Sequence, residues 1–130
     1  MEQVLCAYTE VWSEPDPARR EELLMRCWSE DSEIIGPGYY FKGTRAVLAE
    51  VERFQRHERG STIVLTSAFD AHTNWVRFTF ALLGPDGATV NEGWDIVELA
   101  ADGRIARVVS FWGALPQVPD NLPTADRQQT

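Results

Sequence analysis

The chain has 130 residues, 44% of them hydrophobic, and a formal net charge of −8. This length is typical of one domain with a buried core of its own. The acidic balance argues against binding to nucleic acid or to anionic membranes, because both need basic surface patches. No apolar run reaches the roughly 18 residues of a membrane span, and the first residues carry no signal-peptide pattern, so we expect a cytoplasmic protein.

Two helices are predicted at the start of the chain. Residues 2–13 place apolar side chains at helical spacing, which predicts an amphipathic first helix. A second helix is predicted over about 17–28, with Asp16 as its N-cap and a proline at its first position. Cys6 and Cys27 fall in these helices without metal-ligand spacing and indicate reduced thiols, while a disulfide between them stays open.

The rest of the chain is predicted to be mostly strand. Short extended pieces around Ile34 and Tyr39 flank a break at Gly36-Pro37-Gly38, and Thr44 is expected to cap a third helix. The later strands are predicted over 62–70, 73–83, 88–99 and 103–112. Three helices followed by an antiparallel meander predict an α+β fold. We expect a domain over 1–113 and a polar, proline-containing tail over 114–130.

Both faces of the predicted meander are apolar. One face is expected to pack on the helices and leave a pocket for a small hydrophobic organic ligand. The other face is too apolar for solvent, which predicts a homodimer through the sheet. The residues assigned to this outer face are Val76, Phe78, Phe80, Trp94, Ile96 and Val108.

Asp95 lies in the middle of a strand otherwise built to be buried. Burying a carboxylate costs several kcal/mol unless it is partnered, so Asp95 is either well paired or used in chemistry. The turn Gly84-Pro85-Asp86-Gly87 is expected to pair position 84 with 88, and counting outward places Arg77 opposite Asp95. An arginine there would hold the carboxylate ionised.

Aromatic residues supply the apolar wall that an organic ligand needs. The predicted lining residues are Trp12, Trp28, Tyr39, Tyr40, Phe54, Trp75, Phe111 and Trp112. The two histidines are far apart and no Cys-x-x-Cys spacing occurs, so we expect neither a metal site nor a cofactor.

The chain resembles the nuclear-transport-factor-2-like (NTF2-like) superfamily over roughly residues 4–112, and within it the SnoaL-like polyketide cyclases and ketosteroid isomerases. The resemblance rests on Tyr8 with Trp12, Trp28-Ser29-Glu30-Asp31-Ser32, Gly43, Gly93-Trp94-Asp95, Asp102-Gly103-Arg104-Ile105 and Ser110-Phe111-Trp112. It implies a cystatin-like cone, in which three N-terminal helices pack on a strongly curved antiparallel sheet.

The resemblance also implies roles for particular residues. In the ketosteroid isomerase pattern, Tyr8 matches the tyrosine that donates to the substrate oxyanion, and Asp95 matches the second, carboxylic acid donor. The general base of that pattern falls at Gly36, so steroid isomerisation by that route is not expected. SnoaL-like cyclases carry an acid/base carboxylate on the late strands with a histidine nearby, which Asp95 and His72 match.

We therefore expect a cofactor-independent enzyme that moves a proton next to a carbonyl. Asp95 would be the acid/base, Arg77 its orienting partner, and Tyr8 with His72 the groups that polarise oxygen. Two alternatives stay open. Asp95 and Arg77 form a structural ion pair in a non-catalytic binding domain, or Asp95 activates water as in the epoxide hydrolases of this fold, although Thr79 stands where their second aspartate would follow Arg77.

One pocket position is left open by the sequence. Counting from the last turn places Phe111 on the face of Asp95, whereas the family resemblance places Trp112 there. A bulge near Ser110 would reconcile the two assignments.

Overall fold

A computed structural model describes residues 1–124 of the chain. In chain order the elements are α1 (Glu2–Val11), α2 (Pro17–Cys27), β1 (Glu33–Gly36), β2 (Tyr39–Lys42), α3 (Thr44–His57), β3 (Thr62–Leu65), β4 (Asp70–His72), β5 (Trp75–Leu83), β6 (Thr89–Leu99) and β7 (Ile105–Trp112). Within residues 1–124, none of the helices has the length and apolar character needed to span a bilayer.

The helix starts follow local sequence signals. The Asp16 carboxylate accepts a hydrogen bond from the Ala18 backbone N–H at 3.2 Å, so the predicted N-cap of α2 is confirmed. The predicted cap of α3 is wrong by one residue, because Gly43 is the N-cap and Thr44 is the first helical residue. Gly43 takes a φ of 88°, a conformation that a residue with a side chain rarely adopts.

The strands form one seven-stranded sheet in the order β2-β1-β7-β6-β5-β3, with β4 paired to β5. The predicted α+β fold is confirmed, and the sheet, predicted as antiparallel, is mixed because β1 runs parallel to β7. The Gly36-Pro37-Gly38 break is the hairpin between β1 and β2, with Gly38 at a φ of 81°. The predicted strand 62–70 is divided into β3 and β4.

A first bulge sets the register between β5 and β6. The Gly84 N–H donates to the Ala88 carbonyl at 2.9 Å, which confirms the predicted pairing of 84 with 88. Beyond the turn, however, Leu82 pairs with Asn91, which leaves Val90 as an extra residue on β6. A bulge of one residue moves every later side chain of the strand to the other face.

The predicted pairing of Arg77 with Asp95 is therefore wrong. Arg77 lies opposite Ile96, and Asp95 lies opposite Phe78. The observed register places Val76, Phe78 and Phe80 under the helices, while Arg77 faces solvent. The free energy gained by burying these apolar side chains therefore sets the register, and the pairing expected from the turn alone is not kept.

A second bulge lies between β6 and β7. Glu98 pairs with Arg107 and Leu99 with Ile105, so Ala106 is extra. The reconciling bulge thus occurs at Ala106 and not near Ser110.

The Ala106 bulge decides between the two aromatic residues at the end of β7. Trp112 lies on the same face as Ser110, and Phe111 points outward with 58% of its surface exposed. The placement of Phe111 in the pocket is wrong for this reason.

The core lies between the concave face of the sheet and the three helices. Buried residues of α1, α2 and α3, including Leu5, Leu24 and Val51, belong to one cluster with Val97 and Val108 of the sheet. Such a continuous apolar contact is what stabilises a domain of this size.

The outer face of the sheet differs from its prediction. Val76, Phe78, Phe80 and Val108 were assigned to it and are instead buried on the concave face. The outer face retains Trp94 and Ile96, 38% and 37% exposed, and gains Phe111.

The predicted tail is described as far as residue 124. Residues 114–124 form neither helix nor strand, and 125–130 lie outside the described residues. The boundary between a domain over 1–113 and a tail stays a prediction.

We expect Gly93→Ala to destabilise the fold by about 1–3 kcal/mol. A Cβ at Gly93 would overlap the Phe80 ring, which packs over the glycine from β5. Urea unfolding would measure the loss of unfolding free energy caused by Gly93→Ala, both in the wild type and in a Phe80→Leu variant. The loss should be smaller in that background, and an equal loss in both would contradict the contact as its cause.

Candidate functional site

A cavity of about 330 Å³ opens between the concave face of the sheet, α1 and α3. Aromatic side chains form much of its wall: Trp12, Tyr39, Phe41, Phe54, Phe80 and Trp112. The polar groups on this wall include the hydroxyls of Tyr8, Tyr39 and Ser110 and the carboxyl group of Asp95. A concave, mostly apolar space with a few convergent polar groups is typical of a small-molecule site.

Asp95 is the carboxyl group of this cavity and is only 5% exposed. The Ser110 hydroxyl donates a hydrogen bond to Asp95 Oδ1 at 2.6 Å, and within residues 1–124 no side chain bonds to Oδ2. Burial raises the pKa of Asp95 to about 7, and the Ser110 hydrogen bond acts in the opposite direction. The carboxyl group therefore changes protonation near neutral pH.

Tyr8 is buried on α1 and lines the same cavity. Its ring stacks on Trp28 with centroids 5.6 Å apart and meets Trp12 edge-on at 6.3 Å. Burial, and then the charge of Asp95, raise the pKa of Tyr8 well above its ordinary value, while a hydrogen bond with Trp12 lowers it. The phenol therefore keeps its proton at neutral pH and is available as a donor.

Tyr39 occupies space that a side chain at position 36 would fill. A Cβ at Gly36 would overlap the Tyr39 ring and its hydroxyl group. The Trp112 indole N–H donates to Tyr39 Oη at 3.0 Å, which joins β2 to β7 across the cavity wall. A tyrosine thus lies where the ketosteroid isomerase pattern would have its general base.

Comparison with known proteins identifies the family. The sequence model of the SnoaL-like domain matches residues 6–108. The chain belongs to the SnoaL-like domain family. A comparison with curated proteins found no match.

Solved structures support the family and its fold. A protein of Agrobacterium tumefaciens str. C58, named as a proposed isomerase of the SnoaL-like family, is 32% identical, with a TM-score of 0.81 over 88% of this chain and all of that one. A proposed polyketide cyclase of Sinorhizobium meliloti is 17% identical, with a TM-score of 0.65 over 82% and 92% of the two chains. A protein of Methylobium petroleophilum PM1 with a cystatin-like fold is 20% identical, with a TM-score of 0.71 over 95% of this chain and 80% of that one. The last two show the fold alone.

The structure of this SnoaL-like domain does not bring Arg77 or His72 to Asp95. Arg77 Nε donates to Asp70 Oδ2 at 2.7 Å on the outer face of the sheet. His72 is exposed in β4 and lines a separate outer depression with Arg77 and Trp75. The predicted Arg77–Asp95 ion pair, whether catalytic or structural, is not formed. The Asp-Arg-Asp set of epoxide hydrolases is not assembled either.

The aromatic residues predicted to line the pocket divide into two groups. Those that line the cavity are Trp12, Tyr39, Phe54 and Trp112. The others are Trp28, Tyr40, Trp75 and Phe111, which the structure places behind or outside it. Trp28 is buried behind Tyr8, Tyr40 is exposed and donates to Glu33, and Trp75 and Phe111 belong to the outer side.

Several lining residues escaped the sequence analysis. Ser110 is one, and its signal is a small polar residue within the apolar run 108–112. A second group lies at the cavity mouth beside Phe54 and consists of α3 residues: Glu50, Arg53, His57 and Glu58. Their signal is helical spacing on one face. Arg53 is paired with Glu50.

Within residues 1–124, no three or more histidine, cysteine or acidic side chains are grouped to hold a metal ion. The side chains that line the cavity carry carboxyl and hydroxyl groups, an amide, an imidazole, an indole and a guanidinium. This donor set fits proton transfer and hydrogen bonding.

We expect Asp95→Asn to change how stability depends on pH. The pKa of Asp95 is raised in the folded state from 3.8 to about 7. The folded protein therefore holds this proton more tightly, and stability falls as pH rises from about 4 to about 7. The fall is on the order of 4 kcal/mol for a shift of this size, and Asp95→Asn should remove it.

Urea unfolding of the wild type and Asp95→Asn from pH 4 to pH 8 measures this effect. The two curves should converge in acid, with the variant the more stable at pH 8. Parallel curves would show that Asp95 is not buried as described.

Proposed function

We propose that this SnoaL-like domain is a cofactor-independent enzyme that transfers a proton at the carbon next to a carbonyl, as isomerases and polyketide cyclases do. The observation that carries this proposal is Asp95, a buried carboxyl group with a pKa of about 7 at an apolar cavity. A proton-transfer group works best when its pKa lies near the working pH. Its expected contribution to rate is about 10²–10⁴-fold.

The proposed step uses Asp95 and Tyr8 together. The Asp95 carboxylate removes a proton from the carbon next to the ligand carbonyl, and the electron pair of that C–H bond forms an enolate. Tyr8 donates a hydrogen bond to the carbonyl oxygen, where negative charge develops. The protonated Asp95 then returns the proton at another carbon, which is isomerisation, or to the oxygen of a second carbonyl attacked by the enolate, which is cyclisation.

Ser110 keeps the carboxyl group in place for this step. Its hydroxyl bonds to Oδ1, and within the described residues Oδ2 has no such partner. The carboxyl group is thus held at one oxygen and offers the other to the ligand. The same hydrogen bond favours the ionised, basic form.

The electrostatics of the cavity favour a neutral ligand. Among the residues that line it, Arg53 is the basic side chain with a permanent charge, and Glu50 at the mouth pairs with it. A substrate carboxylate beside Asp95 would have no unpaired cation to bind. It would also be repelled by the negative charge of ionised Asp95. We therefore infer a largely apolar ketone.

The exchange of carbon-bound hydrogen for deuterium tests this function. The neutral bicyclic ketone 2-tetralone, incubated in D2O with the protein, should exchange the hydrogens next to its carbonyl faster than in buffer alone. Asp95→Asn should abolish the added rate, and Tyr8→Phe should lower it by about tenfold or more. Proton NMR follows the loss of signal, with the outer-face variant Asp70→Asn as the matched control.

The dependence of the exchange rate on pH tests the role of Asp95. A base must be ionised, so the rate should rise with pH and level off above about 7. Ser110→Ala should move this rise to higher pH, because the lost hydrogen bond lowers the pKa of Asp95. A rate that falls through pH 7 would instead make Asp95 a hydrogen-bond donor. Full exchange by Asp95→Asn, or no added exchange by the wild type, would contradict the proposed enzyme.

We also propose that the protein is a homodimer through the outer face of its sheet. Trp94, Ile96 and Phe111 expose large apolar side chains on neighbouring strands there. Apolar side chains grouped in this way favour contact with a second copy.

The double substitution Ile96→Asp with Phe111→Asp should convert the dimer to a monomer. Light scattering coupled to size-exclusion chromatography would report the mass. Met25→Asp is the control, since Met25 is an exposed apolar residue on α2. A wild-type protein that stays monomeric at high concentration would contradict the proposal.

A further inference from the structure

The hydrogen bond between Trp112 and Tyr39 assigns the direction of the Tyr39 hydroxyl. An indole N–H can only donate, so Tyr39 Oη is the acceptor in this 3.0 Å bond. The proton of Tyr39 is therefore left for another acceptor, and no residue of the described range 1–124 takes it. Both side chains line the cavity.

The Tyr39 hydroxyl lies against Gly36, on the concave face of the sheet. Gly36 is two residues from Ile34, which lines the cavity, and alternate residues of a strand share a face. The Tyr39 ring and hydroxyl fill the Cβ position of Gly36, and Phe41 stacks on the ring at 5.7 Å. These two contacts hold the ring and its oxygen in place, and the hydrogen bond from Trp112 leaves the hydroxyl proton to point away from the indole.

We propose that Tyr39 donates a hydrogen bond to an oxygen atom of the ligand, with Trp112 as its positioning residue. This inference rests on the proposed function, which makes the ligand a neutral oxygenated molecule. A hydroxyl that accepts one hydrogen bond becomes a better donor in the next. Trp112 therefore both orients the phenol and strengthens its donation, and the cavity selects oxygenated ligands over hydrocarbons of the same shape.

Two probes of matched shape test the proposal. They are 2-tetralone and tetralin, which has the same carbocycle without the oxygen. Titration calorimetry should show that Tyr39→Phe weakens binding of 2-tetralone about three- to tenfold and leaves that of tetralin unchanged. Tyr40→Phe is the matched control, because Tyr40 is exposed and donates to Glu33.

The same measurement distinguishes hydrogen bonding from packing. Equal weakening of both probes by Tyr39→Phe would mean that the residue only packs, and unchanged binding of both would mean that it does not contact the ligand. Either result overturns the proposal.

The positioning role of Trp112 is tested by a double-mutant cycle. Trp112→Phe removes the indole N–H and keeps a ring beside Phe80, which Trp112 meets edge-on at 5.0 Å. It should lower the preference for 2-tetralone over tetralin in the wild type but have no further effect in Tyr39→Phe, because the indole acts through the tyrosine. An equal effect in both backgrounds would overturn this role.

Failure of this inference can be told from failure of the proposed function. If Asp95→Asn abolishes deuterium exchange while Tyr39→Phe binds both probes like the wild type, only the role of Tyr39 is wrong. If Tyr39→Phe weakens the binding of 2-tetralone selectively while Asp95→Asn catalyses deuterium exchange at the wild-type rate, only the proposed chemistry is wrong. A wild type that does not bind 2-tetralone overturns both.

Discussion

An extra residue in β6, Val90, decides which side chains of this sheet meet the helices. The turn before it pairs Gly84 with Ala88, and without the bulge Asp95 would lie opposite Arg77 and share its face. With the bulge, Asp95 lies opposite Phe78 and shares the face of the β5 side chains that pack in the core, while Arg77 lies on the other face. The position and the electrostatic surroundings of Asp95 both follow from this one-residue shift.

The placement of Arg77 on the opposite face determines the chemistry of the Asp95 carboxyl group. An aspartate beside a guanidinium stays ionised over the physiological range, whereas burial with a single hydroxyl partner raises the pKa of Asp95 to about 7. Such a group is costly to bury in its charged form, so it opposes stability at neutral and higher pH. This carboxyl group lines the cavity, so its second oxygen is within reach of a ligand bound there.

Local signals in the sequence predicted much of the fold, and long-range contacts account for the errors. Asp16 caps α2 through a residue two positions away, and the Gly84 turn closes on itself, so both can be read from neighbouring residues. The bulges at Val90 and Ala106 leave no comparable mark, because they depend on which face buries more apolar surface. The burial of Asp95 on the cavity side was predictable from its strand, but its hydrogen bond to Ser110 depends on the second bulge. The parallel contact of β1 with β7 joins segments about seventy positions apart and could not be inferred from spacing.

In the proposed enzyme, the residues at the cavity mouth and the groups that react belong to different elements of the fold. Glu50, Arg53, Phe54 and His57 line the opening from the last turns of α3, whereas Asp95 and Ser110 belong to central strands of the sheet. Substitutions on that helix surface can alter which molecules enter the cavity and how far they protrude, while Asp95 and Ser110 stay unaltered. Related proteins with this arrangement can therefore come to accept different ligands while the proposed catalytic groups stay the same.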